Sequence, residues 1–495
     1  MSISLPHVQP SGPTATAIEK PAIQPRGLDG RTLRLLQAPI AATLVTLAAP
    51  NILVNIAQSS VGLIETYFVG KLGTDALAGV ALVFPVVMLT QMMSAGAVGG
   101  GISSAVARAL GGQRRREADD LALHSLAVGL LLGIAFTVSA LLAGPWLYST
   151  LGGRDASLTA AVTYSNVIFS GALLIWIFNS LASVIRGTGN MHVPALVTCA
   201  GVIAVIPLSP CLIFGLGPFP QLGVAGGGVA LLAYYAVGSV VLATYIRSGR
   251  IPVRFSLSNL RLRRELLTDI LRVGVVSALV TIGTNVTVAS VTGLVGTLGP
   301  AAIAGYGVGS RLEYFLVPLV FGLGAPLVAL VGTNVGAGQH ERAVRVAWIG
   351  GFMAAAMCAL IGALAAVFPR MWLGLFDSDP AMLAAGAQYL QTVGPFYGFF
   401  GLGLGLYFAF QGFGRLRWAV LANFTRLTIA VGGGLLALRL TGNLSFVFVA
   451  LSVGLVAFGL INAMALASGA VTAGRRPRKG TTRWFRNSVP DSSIQ

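Results

Sequence analysis

Twelve long apolar runs dominate the chain, and short polar or basic connectors separate them. A helix needs about 20 mostly apolar residues to cross the hydrocarbon core of a bilayer, and each run reaches that length. The pattern therefore predicts twelve transmembrane helices, called spans 1 to 12 in chain order. The predicted spans are residues 41–69, 76–107, 121–148, 158–185, 193–216, 223–246, 268–297, 301–335, 343–369, 381–412, 418–440 and 444–470.

Composition leads to the same class. The chain has 495 residues, of which 55% are hydrophobic and 9% charged, with a mean hydropathy of +0.82. Soluble domains carry about 25% charged residues. The 64 glycines also fit, because small residues let transmembrane helices approach closely. We therefore predict an all-α integral membrane protein in contact with the lipid bilayer.

The net charge of +17 follows a topological pattern. Arginine and lysine concentrate in the connectors between spans 2–3, 4–5, 6–7, 8–9 and 10–11, whereas the opposite connectors hold little beyond Lys71, Arg154, Arg370 and Arg439. Cytoplasmic loops retain basic residues, so we expect both termini in the cytoplasm of a bacterial inner membrane. The same distribution argues against nucleic-acid binding and indicates that the basic tail anchors the topology.

The chain repeats itself at an offset of 226 residues. GKLGTDALAG, which begins at Gly70, matches GTLGPAAIAG from Gly296, and Gln113 matches Gln339 at the same spacing. RGTG, which begins at Arg186, aligns with QGFG, which begins at Gln411, at an offset one residue shorter than this spacing. Six spans separate equivalent positions, so the two halves share one orientation and form parallel repeats about an axis along the membrane normal.

These repeats predict five parts of the chain and place a site between or within the two halves. The parts are a disordered cytoplasmic segment at 1–38, a six-helix bundle at 39–247, a cytoplasmic linker at 248–265, a second six-helix bundle at 266–470 and a basic tail at 471–495.

Span 1 carries a polar stripe. At 100° per residue, Asn51, Asn55 and Gln58 share a helix face with Glu65. A charge within a bilayer costs about 2–3 kcal/mol or more, so Glu65 is a candidate functional group. The alternative is that Glu65 reaches the outer interface, because Gly70 ends the run five residues later. The equivalent positions in span 7 carry no acid and are Ser277, Thr281, Thr284 and Val291.

Span 8 contains a second pair of charges. Arg311 and Glu313 are two residues apart, so they point to different sides of the helix, and each is expected to find a charge partner on another helix. Structural ion pairing and a role in ion coupling both remain open. The cysteines lie in apolar runs, which indicates buried thiols rather than disulfides or a metal site. They are Cys199, Cys211 and Cys358.

Several stretches together resemble the multidrug and toxic compound extrusion (MATE) family, and GSRLE resembles its DinF-like branch. The other stretches are LAAPNILVNIAQSSVGLIETYFVGKLGTDALAGV, ARALGGQ, RGTGN, LIFGLGPFPQLGVAG and VGTNVGAG. The resemblance implies two six-helix bundles around a V-shaped central cavity that alternates its access. It further implies a secondary transporter, not an enzyme, that exports amphipathic and often cationic drug-like compounds. Inward protons or sodium would drive that export, without another cofactor.

The family motif places an acid where Ile64-Glu65-Thr66 stands, and the family's bending proline corresponds to Pro50. The polar residues expected on span 5 are replaced by Val205 and Ser209. The acids that sodium-coupled members carry on spans 7 and 10 are also missing, which favours protonation of Glu65 as the coupling step. The candidate cavity residues are Asn51, Asn55, Gln58, Tyr67, Asn179, Thr281 and Thr284.

Other functions remain as alternatives. A sodium-coupled antiporter of the same family would need oxygen ligands besides Glu65. A lipid-linked precursor flippase would need a basic cavity, whereas the spans offer only Arg311 and Arg426. An intramembrane enzyme would need histidines or paired carboxylates within the spans, and the four histidines fall in termini or loops or, like His124, within the first four residues of a predicted span. We expect a monomer that transports small molecules.

Overall fold

The computed structural model describes residues 29–255, 263–376 and 379–472, except for the side chains of 59–63 and 314. Throughout these residues the regular secondary structure is helical. Eleven helices are long and apolar enough to cross a membrane, and a pair bent by 46° forms a twelfth span. The twelve predicted spans are therefore confirmed. Their bounds are Ile40–Gly70, Thr74–Gly111, Arg115–Thr150, Asp155–Ser170 with Ala172–Gly187, His192–Phe214, Val224–Arg247, Arg264–Gly296, Pro300–Gly336, His340–Val367, Pro380–Phe413, Arg417–Thr441 and Leu444–Ala467.

Two large hydrophobic cores hold the helices together. One core is built from buried side chains between Val69 and Ile270, and the other takes most of its side chains from Val273 to Val471. Leu44 and Ala48 belong to the second core although they lie at the start of span 1, the first helix of the first bundle. The first half of span 1 therefore crosses to the second bundle and links the two halves.

The end of the N-terminal segment is ordered, contrary to the expectation of disorder over 1–38. Gly30–Gln37 forms a helix that Asp29 caps, and Leu35 and Leu36 are buried. The amide nitrogen of Asn334, at the end of span 8, donates to the Leu35 carbonyl over 3.1 Å. Two adjacent leucines on one face dock this helix on the second bundle. Residues 1–28, 256–262 and 473–495 lie outside the described residues, and with them most of the predicted tail.

The two bundles meet tightly where spans 2 and 8 end, a region called the closed end and defined by Arg108, Gly111, Thr333 and Gly336. A Cβ on Gly111 would lie 2.0 Å from the Thr333 carbonyl oxygen, and one on Gly336 would lie 2.1 Å from that of Arg108. Only glycine permits such an approach of two backbones. Arg108 also pairs with Asp269 across the halves at 2.9 Å. Glycines and one ion pair thus seal this end.

Candidate functional site

A central cavity lies between the two bundles and is bordered by spans 1, 2, 4, 8 and 10. The helix of span 1 continues through Pro50 and presents Asn51, Asn55 and Gln58 to this cavity. Asn179 reaches it from span 4. Four of the seven candidate cavity residues are therefore brought together. The helical period on span 1 was enough to find three of them.

The walls of the cavity differ in polarity. The first bundle contributes mostly polar side chains, whereas the second contributes mostly apolar ones. Phe321 and Phe408 form part of the apolar wall and stack edge to face, with ring centroids 4.8 Å apart. The polar side chains of the first wall are Asn51, Asn55, Gln58, Gln91, Ser103, Asn179, Ser183 and Arg186. The cavity therefore suits an amphipathic molecule with a polar side and a flat apolar side.

Glu65 lies near this cavity but not in its lining. It is two turns beyond Gln58, which is about 10 Å along the helix axis. The Tyr164 hydroxyl donates to Glu65 Oε1 over 2.6 Å, and a Cβ on Gly227 would lie 2.6 Å from the same oxygen. The carboxyl group is thus held between spans 1, 4 and 6, inside the first bundle.

Glu65 has no cationic partner in the described part of the chain, where four ion pairs are formed by other residues. Burial in a medium of low dielectric disfavours an unpaired charge. A hydroxyl donor such as that of Tyr164 compensates only part of this cost. The arrangement is one in which the carboxyl group can take up and give back a proton.

A hydrogen-bonded chain connects spans 2, 4 and 6 beside the cavity. Tyr235 donates to Gln91 Oε1 over 3.3 Å, and Asn179 Nδ2 lies 3.2 Å from the same oxygen and 2.9 Å from Ser94 Oγ. Ser94 stands in a π-helical segment, Met92–Val98, within span 2. Such segments are rare and often occur at functional sites. Sequence reasoning missed Gln91 and Tyr235, although Gln91 shows the same signal as Gln58, a polar residue inside an apolar run.

Three predicted cavity residues are absent from the described lining, and each has another environment. Tyr67 is 61% exposed near the end of span 1, and the Lys71 ammonium lies 4.7 Å from its ring centroid. The Thr281 hydroxyl donates to the Ser277 carbonyl of its own helix. Thr284 donates to Asn423 of span 11 over 3.1 Å, inside the second bundle. Neither threonine lines the cavity, so the polar stripe of span 1 has no counterpart from span 7 in the described lining.

The charges of span 8 are arranged as the helix geometry predicts, since Arg311 and Glu313 do not contact each other. Glu313 pairs with Arg426 of span 11 at 2.5 Å, and both side chains are at most 15% exposed. The Arg426 guanidinium also lies 5.2 Å from the ring centroid of Phe400. Arg311, for which a charge partner is also expected, forms no ion pair among the described residues; it is exposed and lies over the ring of Phe376. Glu313 thus has a cation where Glu65 has a hydroxyl.

The region after Pro50 contacts the second bundle directly. Asn55 Nδ2 donates to the Pro318 carbonyl over 3.0 Å, and a Cβ on Gly322 would lie 2.4 Å from Cγ1 of Ile52. A change in the course of span 1 near Pro50 would therefore move a contact between the bundles. The hinge role of Pro50 stays a prediction.

Comparison with known proteins agrees with this architecture. The MatE family model matches residues 50–211 and 276–436, two segments that begin at the repeat offset of 226. The chain belongs to the MatE family. It is therefore a membrane transporter and not an enzyme.

Two relatives extend the comparison. The MatE chain is 28% identical over 401 residues to a protein of Shewanella oneidensis called FAD transporter, an alignment that covers 80% of this chain and 87% of the relative. It is 26% identical to a probable multidrug resistance protein NorM of Thermotoga maritima, with 78% and 83% of the two chains covered.

Solved structures match the fold of this MatE protein. A MOP superfamily transporter from Pyrococcus furiosus, described by a reverse polarity of its binding pocket, aligns with a TM-score of 0.82 at 24% identity. That alignment covers 90% of this chain and 99% of the other. An outward-facing multidrug resistance MATE transporter aligns with a TM-score of 0.79 at 24% identity, over 90% and 99% of the two chains. At these identities the matches bear on the fold alone.

Proposed function

We propose that this MatE protein exports amphipathic organic compounds in exchange for protons and that Glu65 carries the proton. The supporting observation is the partly buried Glu65 carboxylate, which accepts from Tyr164 at 2.6 Å and lacks a cation among the described residues. Relatives called multidrug resistance or export proteins support the class of cargo. The relative called an FAD transporter extends that class beyond cations, because FAD carries phosphates.

Protonation changes what Glu65 can do in its hydrogen bonds. As a carboxylate it only accepts, and as an acid it also donates one hydrogen bond. The change alters how spans 1, 4 and 6 are held together and biases the course of span 1 near Pro50. Asn51, Asn55 and Gln58 lie on the same helix, so the polar wall of the cavity moves with it. Substrate and proton then favour different conformations, which couples their movements.

Alternating access requires the closed end to open. The basic connectors next to Arg108 and Gly336 support a cytoplasmic location for this end and for both termini. In this proposal the cytoplasmic side is closed in the present conformation. Substrate entry from the cytoplasm would separate Gly111 from Thr333 and break the ion pair between Arg108 and Asp269.

Everted membrane vesicles test the coupling. The wild-type protein, Glu65→Gln and Glu65→Asp are compared for dye transport with either a pH gradient or a sodium gradient imposed. We expect the pH gradient to drive transport by the wild type and by Glu65→Asp, with Glu65→Gln at the level of empty vesicles. Asp75→Asn, an exposed acid of span 2, is the matched control and should behave as wild type. Normal transport by Glu65→Gln, or transport driven by sodium alone, would refute the proposal.

A further inference from the structure

Arginines inside the bundles differ in what compensates their charge. Arg108 pairs with Asp269, and Arg426 pairs with Glu313. Arg186 lies near the end of the helix Ala172–Gly187 and lines the central cavity. Within the described residues it forms no ion pair, and its buried Nε has no hydrogen-bond partner. Removing a guanidinium from bulk water without a compensating charge costs free energy. A bound negative group would offset that cost, so the cavity favours a ligand with such a group.

The repeat provides an internal comparison. Gln411 of span 10 begins the QGFG motif that aligns with RGTG at Arg186, one residue off the offset of 226, and both side chains line the cavity. The Gln411 amide nitrogen donates to Ser277 Oγ over 3.0 Å and to the Tyr407 hydroxyl over 2.8 Å. This motif position therefore carries in one half a neutral amide, whose nitrogen is hydrogen-bonded and whose buried oxygen has no partner among the described residues, and in the other half a cation without an ion pair. A purely structural role for this position does not require a charge.

Further donors without partners surround the same part of the cavity. Asn51, Ser103 and Ser183 all line it and are at most 5% exposed. The Asn51 amide nitrogen and the two serine hydroxyls have no hydrogen-bond partner among the described residues. Ser183 stands one turn before Arg186 on the same helix. Together these groups offer a wall rich in donors, which a carboxylate or phosphate satisfies with its several acceptor oxygens.

The opposite wall of the cavity, from the second bundle, favours a ligand whose remaining part is apolar. Phe321 and Phe408 offer ring faces and edges to a flat apolar group. The geometry points to amphipathic aromatic compounds that carry a carboxylate or phosphate, whose anionic group binds Arg186 while the ring system packs against the phenylalanines. This inference rests on the proposed export function, because it names the substrate class of that cavity. It differs in this from the expectation of amphipathic and often cationic substrates.

Binding to the purified wild-type protein in detergent, without any ion gradient, tests the inference. Rhodamine B, a zwitterion with a free carboxylate, is compared with its cationic ethyl ester, and flavin mononucleotide with riboflavin, which lacks the phosphate. In each pair the compound that carries the carboxylate or phosphate is called the anionic member, and the compound in which that group is esterified or missing is called its neutralised partner. We expect at least one anionic member to bind about tenfold more tightly than its neutralised partner, because Arg pairs with carboxylate and phosphate through two parallel hydrogen bonds. The pair that shows the preference identifies the anionic group. Equal or weaker binding of both anionic members overturns the inference.

Arg186→Gln installs the residue with which the aligned motif of the second half begins. It should lower the affinity for the preferred anionic compound about tenfold and leave its neutralised partner within about twofold. Arg186→Lys should keep part of the preference, since lysine retains the charge without the planar fork. Arg311→Gln, which removes an exposed arginine over Phe376, should behave as wild type. An equal loss for both members of a pair would show a structural role and refute the inference.

The test is separate from that of proton coupling. Binding is measured without a gradient, so Glu65→Gln should retain the preference for the anionic member. If sodium drives transport while the preference persists, the proposed coupling fails and this inference stands. If wild-type protein shows no preference while a pH gradient still drives export, this inference alone fails. If Arg186→Gln does not fold, the binding preference of the wild-type protein and that of Arg186→Lys still test the inference.

Discussion

The two bundles share one repeat but treat their buried charges differently. In the second bundle Glu313 and Arg426 neutralise each other at 2.5 Å. In the first, Glu65 has only a tyrosine hydroxyl, and Arg186 forms no ion pair in the described chain. The buried Val291 stands at the repeat position of Glu65, and the neutral Gln411 begins the motif that aligns with Arg186. Glu65 and Arg186, two partly buried charges without an ionic partner among the described residues, thus both lie in the first bundle.

The cavity walls show the same division. The polar groups of the first bundle face Phe321 and Phe408 of the second across the cavity. The two halves are similar in fold, and the proposed roles in proton exchange and in recognition of a polar ligand both fall on the first. The comparison therefore predicts unequal consequences for equivalent substitutions in the two halves.

The largest effect on stability is expected from breaking the ion pair of the second bundle. Arg426→Met leaves the Glu313 carboxylate buried and unpaired, which should lower the free energy of unfolding by about 3–5 kcal/mol. Chemical unfolding in detergent micelles measures this loss. The double variant Glu313→Gln with Arg426→Met should recover much of the stability and still transport under a pH gradient. If the double variant folds but has lost coupled transport, the second bundle also takes part in coupling, and the proposed division between the two bundles is wrong.

A large effect on transport is expected at the closed end. Gly111→Ala places a Cβ 2.0 Å from the Thr333 carbonyl oxygen, an overlap that costs about 1–3 kcal/mol and disfavours closure. Transport should fall about tenfold as the closed conformation loses population. Gly307→Ala is the control, because a Cβ there meets nothing within 4 Å. Equal rates for the two variants would show that this end need not close.

A smaller effect, on the pH dependence of transport, is expected from the hydrogen bond to Glu65 in the first bundle. Tyr164→Phe removes the hydroxyl that donates to Glu65, which destabilises the ionised carboxylate relative to the protonated form. The pH at which transport is half-maximal should therefore move upward by about one unit. Tyr148→Phe on the neighbouring span is the control, since its hydroxyl bonds to Ser165 instead. A downward movement, or the same movement in both variants, contradicts the assignment.

The smallest effect is expected where the halves touch. Asn55→Ala removes the hydrogen bond to the Pro318 carbonyl, which is worth about 0.5–1.5 kcal/mol. Substrate affinity should change by no more than about tenfold. Asn285→Ala, which removes a bond to the carbonyl of Thr281 on the same helix, should leave affinity unchanged. A loss of proton coupling in Asn55→Ala would show that this contact does more than bind the halves together.

Hydropathy and helical period were sufficient for part of this picture. The twelve spans follow from apolar runs long enough to cross a bilayer. The stripe of Asn51, Asn55 and Gln58 follows from the 100° rotation per residue, which places these side chains on one face wherever the helix lies. The same logic separated Arg311 from Glu313. These properties are local to one helix and can be read from the sequence alone.

Other features depend on contacts between distant segments. Tyr164 meets Glu65 from 99 positions away, and no property of its own span marks it. The predicted span 4 ends at residue 185, one residue before Arg186, whereas the helix continues to Gly187 and the Arg186 side chain lines the cavity. Thr281 and Thr284 are predicted cavity residues, but Thr281 donates to a carbonyl of its own helix and Thr284 to Asn423 inside the second bundle. Sequence pattern identified the polar helix faces without showing which neighbour each face meets.

The central claim is that Glu65 exchanges the proton. Calorimetry of substrate binding to purified protein, repeated in buffers of different ionisation enthalpy, counts the protons released on binding. The account predicts release of about one proton for each bound substrate in the wild type and in Asp75→Asn. Glu65→Gln should bind substrate and release none. Equal proton release by Glu65→Gln and wild type would contradict the account.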